Sequence, residues 1–192
     1  MLQSKYLTEI DLKDFGFKSL GINVKISSDA RIYCPENIEI GNNVRIDDFT
    51  TLSAHNGKII LENFIFIARN CHLSGRFGII MHDFSGMAAN TVLYSASDDY
   101  SGEFMTAQAI PQNYTSIRGG IIDIGKHVII GSASIIIGGC KIEEGCSIGS
   151  MSLVNRDIDA WGIYVGIPVK KIKQRKKDLL LLEKQLLKEF NL

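Results

Sequence analysis

The stretch SASDDYSGE, residues 95–103, sets two adjacent carboxylates, Asp98 and Asp99, among hydroxyls and a glycine in a chain otherwise full of short isoleucine and valine runs. A positioned carboxylate can take a proton from an attacking group if burial or a like charge raises its pKa toward neutrality, and neighbouring aspartates can do this to one another. Asp-Asp at the head of a loop is equally turn chemistry, because aspartate accepts hydrogen bonds from nearby backbone N–H groups. Residue type leaves both roles open. The four histidines are rival bases. His82, in IIMHDFSG, lies shortly before the acidic pair, His127 in GKHVII reads as a surface residue, and His55 and His72 each sit toward the end of a short repeating unit. No CxxC or HxxH pair points to zinc, so no metal is expected.

The elements that must hold these residues are counted in sixes. From Ile124 the chain divides into IGKHVI, IGSASI, IIGGCK, IEEGCS, IGSMSL and VNRDID. Every first position is aliphatic, and every fifth is small or β-branched. Earlier sets begin at Ile40, Leu61 and Met87, with the phase slipping near residues 58–60 and 79–86. A helix needs a period of 3.6 and a half-buried strand a period of 2, so neither explains the pattern. A coil with three flat β faces does, each face turning one aliphatic residue into a shared interior that exists only when coils stack. Cys71, Cys140 and Cys146 all occupy the fifth position, a packing role for a small apolar side chain, and none has a histidine evidently paired with it.

Lys plus Arg and Asp plus Glu both number 21, and the resulting zero net charge argues against general nucleic-acid binding. No apolar run approaches the roughly 20 residues of a membrane span. Four cysteines and no secretory signal place the expected protein in the cytoplasm. Residues 1–20 read as a capping segment with Thr8 as helix N-cap and Gly16 as its stop, followed by a repeat domain over 21–172. A helix over 173–192 carries Leu179, Leu182, Leu186, Leu187 and Phe190 on one stripe, expected to pack on a neighbouring subunit. Repeats stop at Ser97 and restart near Ile121, leaving a protruding loop over about 95–120. A loop this long inside a compact domain usually has a function or lacks order, and Tyr100, Phe104, Met105, Ile110 and Tyr114 favour order.

The repeats, with the closing WGIYVGIPVKKIK, resemble the hexapeptide-repeat acyltransferase family, in particular its galactoside and xenobiotic acetyltransferases. The ending is similar to that family's Gly-x-Pro-Ala signature, with Val169 in the alanine place. The resemblance implies a mainly β fold, a left-handed parallel β-helix. It also implies acetyl-CoA as co-substrate and a homotrimer in which the loop of one chain reaches the next. In such enzymes the loop bears a catalytic histidine, whereas this chain has Asp98 and Asp99. A neutral amine needs less help from a base than a hydroxyl does, so the departure favours N-acetylation of a nucleotide-linked aminosugar for surface polysaccharide. Sugar or antibiotic O-acetylation, and a lapsed CoA-binding scaffold, remain the alternatives. The extended pantetheine arm is expected along Gly131, Ser132 and Ala133 and, one turn on, Gly149, Ser150 and Met151, although small residues also suit coil corners. Gly166 and Pro168 would border the adenine. Lys170, Lys171 and Arg175 would face the phosphates or form the solvated side of the tail helix.

Overall fold

A computed structural model describes residues 5–107 and 109–190. The chain is a left-handed parallel β-helix of about seven turns, built from short strands that form three faces. Face one runs through Ser19–Leu20, Ile38–Ile40, Ile59–Leu61, Ile79–Met81, Ile122–Ile124 and Lys141–Ile142. Face two stacks Lys25–Ile26, Arg45–Ile46, Phe66–Ile67, Gly86–Met87, Ile129–Ile130, Ser147–Ile148 and Gly162–Val165. Face three stacks Arg31–Tyr33, Thr51–Ser53, His72–Ser74, Val92–Tyr94, Ile135–Ile137 and Leu153–Val154. Corner one joins faces one and two, corner two joins faces two and three, and corner three joins faces three and one.

Each strand pairs in parallel with the strand one coil away, so that Ile26 lies on Ile46, Ile46 on Ile67, and Ile67 on Met87. These aliphatic residues and their counterparts on the other faces fill the interior and have almost no exposed surface. The fifth-position residues are buried behind them and bond from coil to coil. The Ser134 hydroxyl donates to the Gly149 carbonyl at 3.0 Å and accepts from the Ser152 N–H at 3.2 Å. Among the described residues no buried side-chain nitrogen or oxygen lacks a partner. The phase slips are real, but the extra residues lie at corner three. They occupy residues 54–58 and 75–78, because Ile79–Met81 is already in register with its neighbours rather than part of an irregular stretch.

Corner one carries a column of left-handed residues, Asn23, Asn43, Phe64, Phe84, His127 and Trp161, all with φ between +55° and +60°. Asparagine tolerates this region, while a bulky side chain there needs compensation. Ring stacking supplies it. Phe64 lies on Phe84 at 4.7 Å between centroids, and Phe84 on His127 at 5.2 Å, both nearly parallel. His127 is therefore a buried member of the corner rather than the surface residue expected from its sequence.

The two ends are closed differently. A helix over Glu9–Asp14 starts at a capping box in which Thr8 and Asp11 satisfy one another's backbone N–H groups, and it buries Leu12 in the core. At the lower end of face two, Tyr6 bridges Ser27 in antiparallel sense. At the upper end Lys170–Gln174 pairs antiparallel with Gly162–Val165. The C-terminal helix, Leu179–Glu189, buries none of its residues fully. Leu179, Leu182 and Leu186 border a cleft of about 500 Å³ against Phe66, Phe84 and Ile129 of the same chain. Among the described residues no helix is long and apolar enough to cross a membrane.

One side chain ties that helix down. Glu183 accepts from Lys126 Nζ and lies 2.8 Å from His127 Nε2. Burial pushes its carboxyl up, but the hydrogen bonds from Lys126 and His127 outweigh this and hold it below the ordinary glutamate value. A carboxyl depressed in the folded state adds stability above its unfolded pKa and loses it as pH falls through the folded one. The helix is therefore expected to stay docked at neutral pH and to become protease-sensitive on acidification below that window. Glu183→Gln should show the same sensitivity at pH 7, and limited proteolysis followed by mass spectrometry checks both.

Candidate active site

The regular coil breaks where face three ends. After Val92–Tyr94 the Ser95 hydroxyl donates to the Ser74 carbonyl at 2.8 Å and accepts from the Phe77 N–H at 3.0 Å, fixing the exit point. The chain then forms a hairpin in which Ala96–Asp98 pairs antiparallel with Ile117–Gly119. The return is closed by the Gly120 N–H donating to the Ser95 carbonyl at 3.0 Å. At Gly119, where φ is +154°, a Cβ would lie 2.1 Å from that same carbonyl oxygen, so only glycine fits.

The two aspartates have different surroundings. Asp99 is buried, and its carboxylate is fully engaged. The Ser101 hydroxyl lies 2.9 and 2.8 Å from its two oxygens and donates to them. The N–H groups of Gly102 and Phe104 donate at 3.1 and 3.4 Å, and Arg118 Nη2 lies at 3.0 Å. The Ser101 hydroxyl is the largest influence on this carboxyl. With Phe104 and the Arg118 charge it overrides burial and holds the pKa below the usual aspartate range. The expected mutual raising of two like charges is therefore absent at Asp99, which follows the turn chemistry that the sequence left open. Asp98 is exposed. It borders a cleft of about 280 Å³ between corner three and the excursion, with His55, Asn56, Arg76, Thr115 and Ile117.

His82 lies elsewhere, beyond Ile79–Met81. Its Nδ1 is 3.0 Å from Glu62 and its Nε2 2.9 Å from Asp123, so each ring nitrogen points at a carboxylate and neither at the Asp98 cleft. Those partners, one coil away on either side, could not be read from local sequence. Burial raises the thiol pKa of Cys71 and Cys140 to about 11 and pushes up that of Cys146, so these cysteines cannot supply a thiolate near neutrality.

The residues expected along the pantetheine arm gather at corner two. Ala133 and Met151 are left-handed, as are Phe49, Asn70 and Asn90 at the same corner, and the Met151 N–H donates to the Ser132 carbonyl at 2.8 Å. A Cβ on Gly131 would meet the Ser150 nitrogen at 2.5 Å, and one on Gly149 the Val165 side chain at 2.6 Å, so coil stacking itself demands small residues there. The terminal segment returns to this corner. The Gly166 N–H donates to the Ser152 hydroxyl at 3.2 Å and the Val169 N–H to the Leu153 carbonyl at 2.9 Å, with Pro168, Lys170 and Lys171 exposed beside them. Arg175 is not part of this strip. Its Nη1 donates to the carbonyls of His127, Gly145 and Cys146 at 2.7, 3.1 and 3.2 Å, and burial lowers its pKa. A guanidinium spent on three backbone carbonyls is not presented to a phosphate. Sequence reasoning also missed Arg118 and Ser101. Ser101, two residues after Asp99, was recognisable as a turn partner, while Arg118 becomes visible only once the hairpin is paired.

A parallel β-helix with an ordered hairpin at one corner and a backbone-lined strip of small residues at another has the build of the hexapeptide-repeat acyltransferases. No family model matches the chain. It is 45% identical over 178 residues to dTDP-4-amino-4,6-dideoxy-D-glucose acyltransferase of Escherichia coli, covering 93% of each chain. It is 44% identical to AntD, an N-acyltransferase from Bacillus cereus crystallised with dTDP and 3-hydroxybutyryl-CoA, covering 99% of this chain and 100% of that one with a TM-score of 0.94. A serine-to-alanine variant of AntD with dTDP-4-amino-4,6-dideoxyglucose and coenzyme A matches at 44% identity and a TM-score of 0.93, over 97% of this chain and 100% of that one. The chain belongs to the nucleotide-aminosugar N-acyltransferase family of hexapeptide-repeat enzymes.

The buried thiols allow a direct check. In the native protein at pH 8, iodoacetamide is expected to label Cys34, the half-buried cysteine, and to spare the other three, with four labels appearing only after denaturation. Intact-mass spectrometry reads the count.

Proposed function

We propose that the protein transfers an acyl group, acetyl first among them, from acyl-CoA to the amino group of a dTDP-linked 4-amino-4,6-dideoxy sugar. The observation that carries this reading is the full-length relationship to one enzyme named for that nucleotide sugar and to another crystallised with it. The neutral amine attacks the thioester carbonyl, the C–N bond forms, and the C–S bond breaks to release coenzyme A. The nitrogen gives up one proton, and the leaving thiolate takes one. Asp98, exposed at the cleft, is the carboxylate placed to hold the amine by accepting a hydrogen bond and to receive its proton. His82 and Asp99 are not used this way, since their polar atoms already have partners.

The CoA strip is read along Gly131–Ala133, Gly149–Met151 and Gly166–Pro168 at corner two, with Lys170 and Lys171 toward the phosphates. The Asp98 cleft lies on a different edge of the prism, at corner three. That separation supports a homotrimer in which the cleft of one chain faces the strip of its neighbour. The coil over 21–172 is then the catalytic unit, flanked by segments 1–20 and 173–192, in a cytoplasmic enzyme supplying acylated sugars for surface polysaccharide.

Thiol release from acetyl-CoA and 3-hydroxybutyryl-CoA, measured with dTDP-aminosugars, plain sugars and chloramphenicol, tests the reading. Fast transfer to a dTDP-4-amino sugar is expected, and its absence alongside transfer to a hydroxyl acceptor would overturn it. Asp98→Asn is expected to lower kcat about 100-fold while CoA affinity stays unchanged, in line with the loss of one acid–base group.

A further inference from the structure

Asp98 is the last residue of the first hairpin strand and Asp99 the first beyond it, and the chain leaves Asp98 exposed while it buries Asp99. Asp98 pairs with Ile117, and both border the cleft. Ser97 pairs with Arg118 on the rung before. Arg118 Nη2 nevertheless lies 3.0 Å from Asp99 Oδ1, so its side chain reaches diagonally past the Asp98–Ile117 rung. Diagonal neighbours on one face of an antiparallel pair lie within the reach of a long side chain. The ion pair thus straddles the rung that carries Asp98, on the face turned away from the cleft. Arg118 also reaches Glu103 at 3.3 Å, and Asp99 collects the Ser101 hydroxyl and the N–H groups of Gly102 and Phe104. The bonds to Asp99 therefore join the end of the first hairpin strand to the turn that follows and to the second strand, and the Arg118–Glu103 bond ties the second strand to the same turn.

We propose that Asp99 and Arg118 form a positioning lock on the back of the hairpin that fixes the Asp98 carboxylate toward the acceptor amine. The proposal rests on the acyl-transfer reading above and adds to it a division of labour between two adjacent residues of one type. Asp99 and Arg118 touch neither substrate nor reacting atoms in this arrangement. Losing either would let the strand end fray, so that Asp98 spends most of its time out of place, and a displacement of about 1 Å is enough to cost on the order of 100-fold in rate. Because both residues act through one contact, their effects should not add.

The test uses the full chain with acyl-CoA and a dTDP-4-amino sugar. Asp99→Ala and Arg118→Ala are each expected to lower kcat at least tenfold, with the KM for acyl-CoA within twofold of wild type. The double variant should be no worse than the more severe single one. Arg118→Lys, whose ammonium can still reach toward Asp99, should recover part of the loss. Hydrogen exchange at the Gly102 and Phe104 amides should accelerate at least tenfold in both alanine variants, while the remaining coil exchanges as in wild type. Accelerated exchange with unchanged kcat would overturn the lock as a positioning device, and so would unchanged exchange or additive losses in the double variant. Failure of the underlying reading would appear separately, as a wild-type protein inactive on every nucleotide aminosugar. The exchange measurement would then still decide whether the pair orders the hairpin.

Discussion

Ile46 can be buried only because Ile26 lies beneath it and Ile67 above it. No coil of this chain encloses a core of its own. Each is a thin triangle whose aliphatic residues become interior when the next coil is laid on them in register, and burial of that column is the main favourable contribution to the fold. The demand for register reaches the corners as well. They must repeat the same backbone conformation at the same height, which is why Asn23, Asn43, Phe64, Phe84, His127 and Trp161 all adopt left-handed angles despite their different chemistry. It also decides which positions are free for function. Inward residues and tight corners serve stacking, while chemistry is confined to outward side chains, exposed backbone and the one place where the chain leaves the coil.

That division explains how much was readable from the sequence. The hexapeptide period is local, so the aliphatic first positions, the small fifth positions and the coil itself follow from counting along the chain. The excursion was equally plain as an interruption, and the acidic pair within it marked the candidate site. What could not be counted were contacts closing over one coil or more. His127 looked like a surface residue because its burial depends on Phe84, a coil away, and on Glu183, far along the chain in the terminal helix. Arg175 looked available for phosphate because the three carbonyls that hold it belong to residues 127, 145 and 146. The slip placed near 79–86 lies at 75–78, since isoleucines at both 79 and 80 obscure which residue begins the next face.

The acidic pair shows the limit most clearly. In sequence Asp98 and Asp99 are indistinguishable, and charge repulsion between them was a reasonable way to raise a pKa. The end of the strand separates them, with Asp98 paired and exposed on its last rung and Asp99 buried in the turn that follows. The environment then does the rest, with Asp99 held low by hydroxyl, backbone N–H groups and a guanidinium, and Asp98 left at the mouth of a cleft. Two copies of one residue type thus have different electrostatic surroundings because an antiparallel hairpin, rather than another parallel coil, was inserted at this corner.

The antiparallel strands at the two ends of face two have a consequence for the molecule as a whole. A stack of identical coils has no intrinsic length, and its last rung offers unpaired N–H and C=O groups to any strand that can continue it, including the first rung of another molecule. Tyr6 at one end and Lys170–Gln174 at the other occupy those groups with strands running the wrong way for continuation. The upper strand also carries Lys170, Lys171 and Lys173 outward, so an approaching copy would meet like charge as well as reversed polarity. These closures give a finite length to a repeat that could otherwise add copies end to end into a fibre.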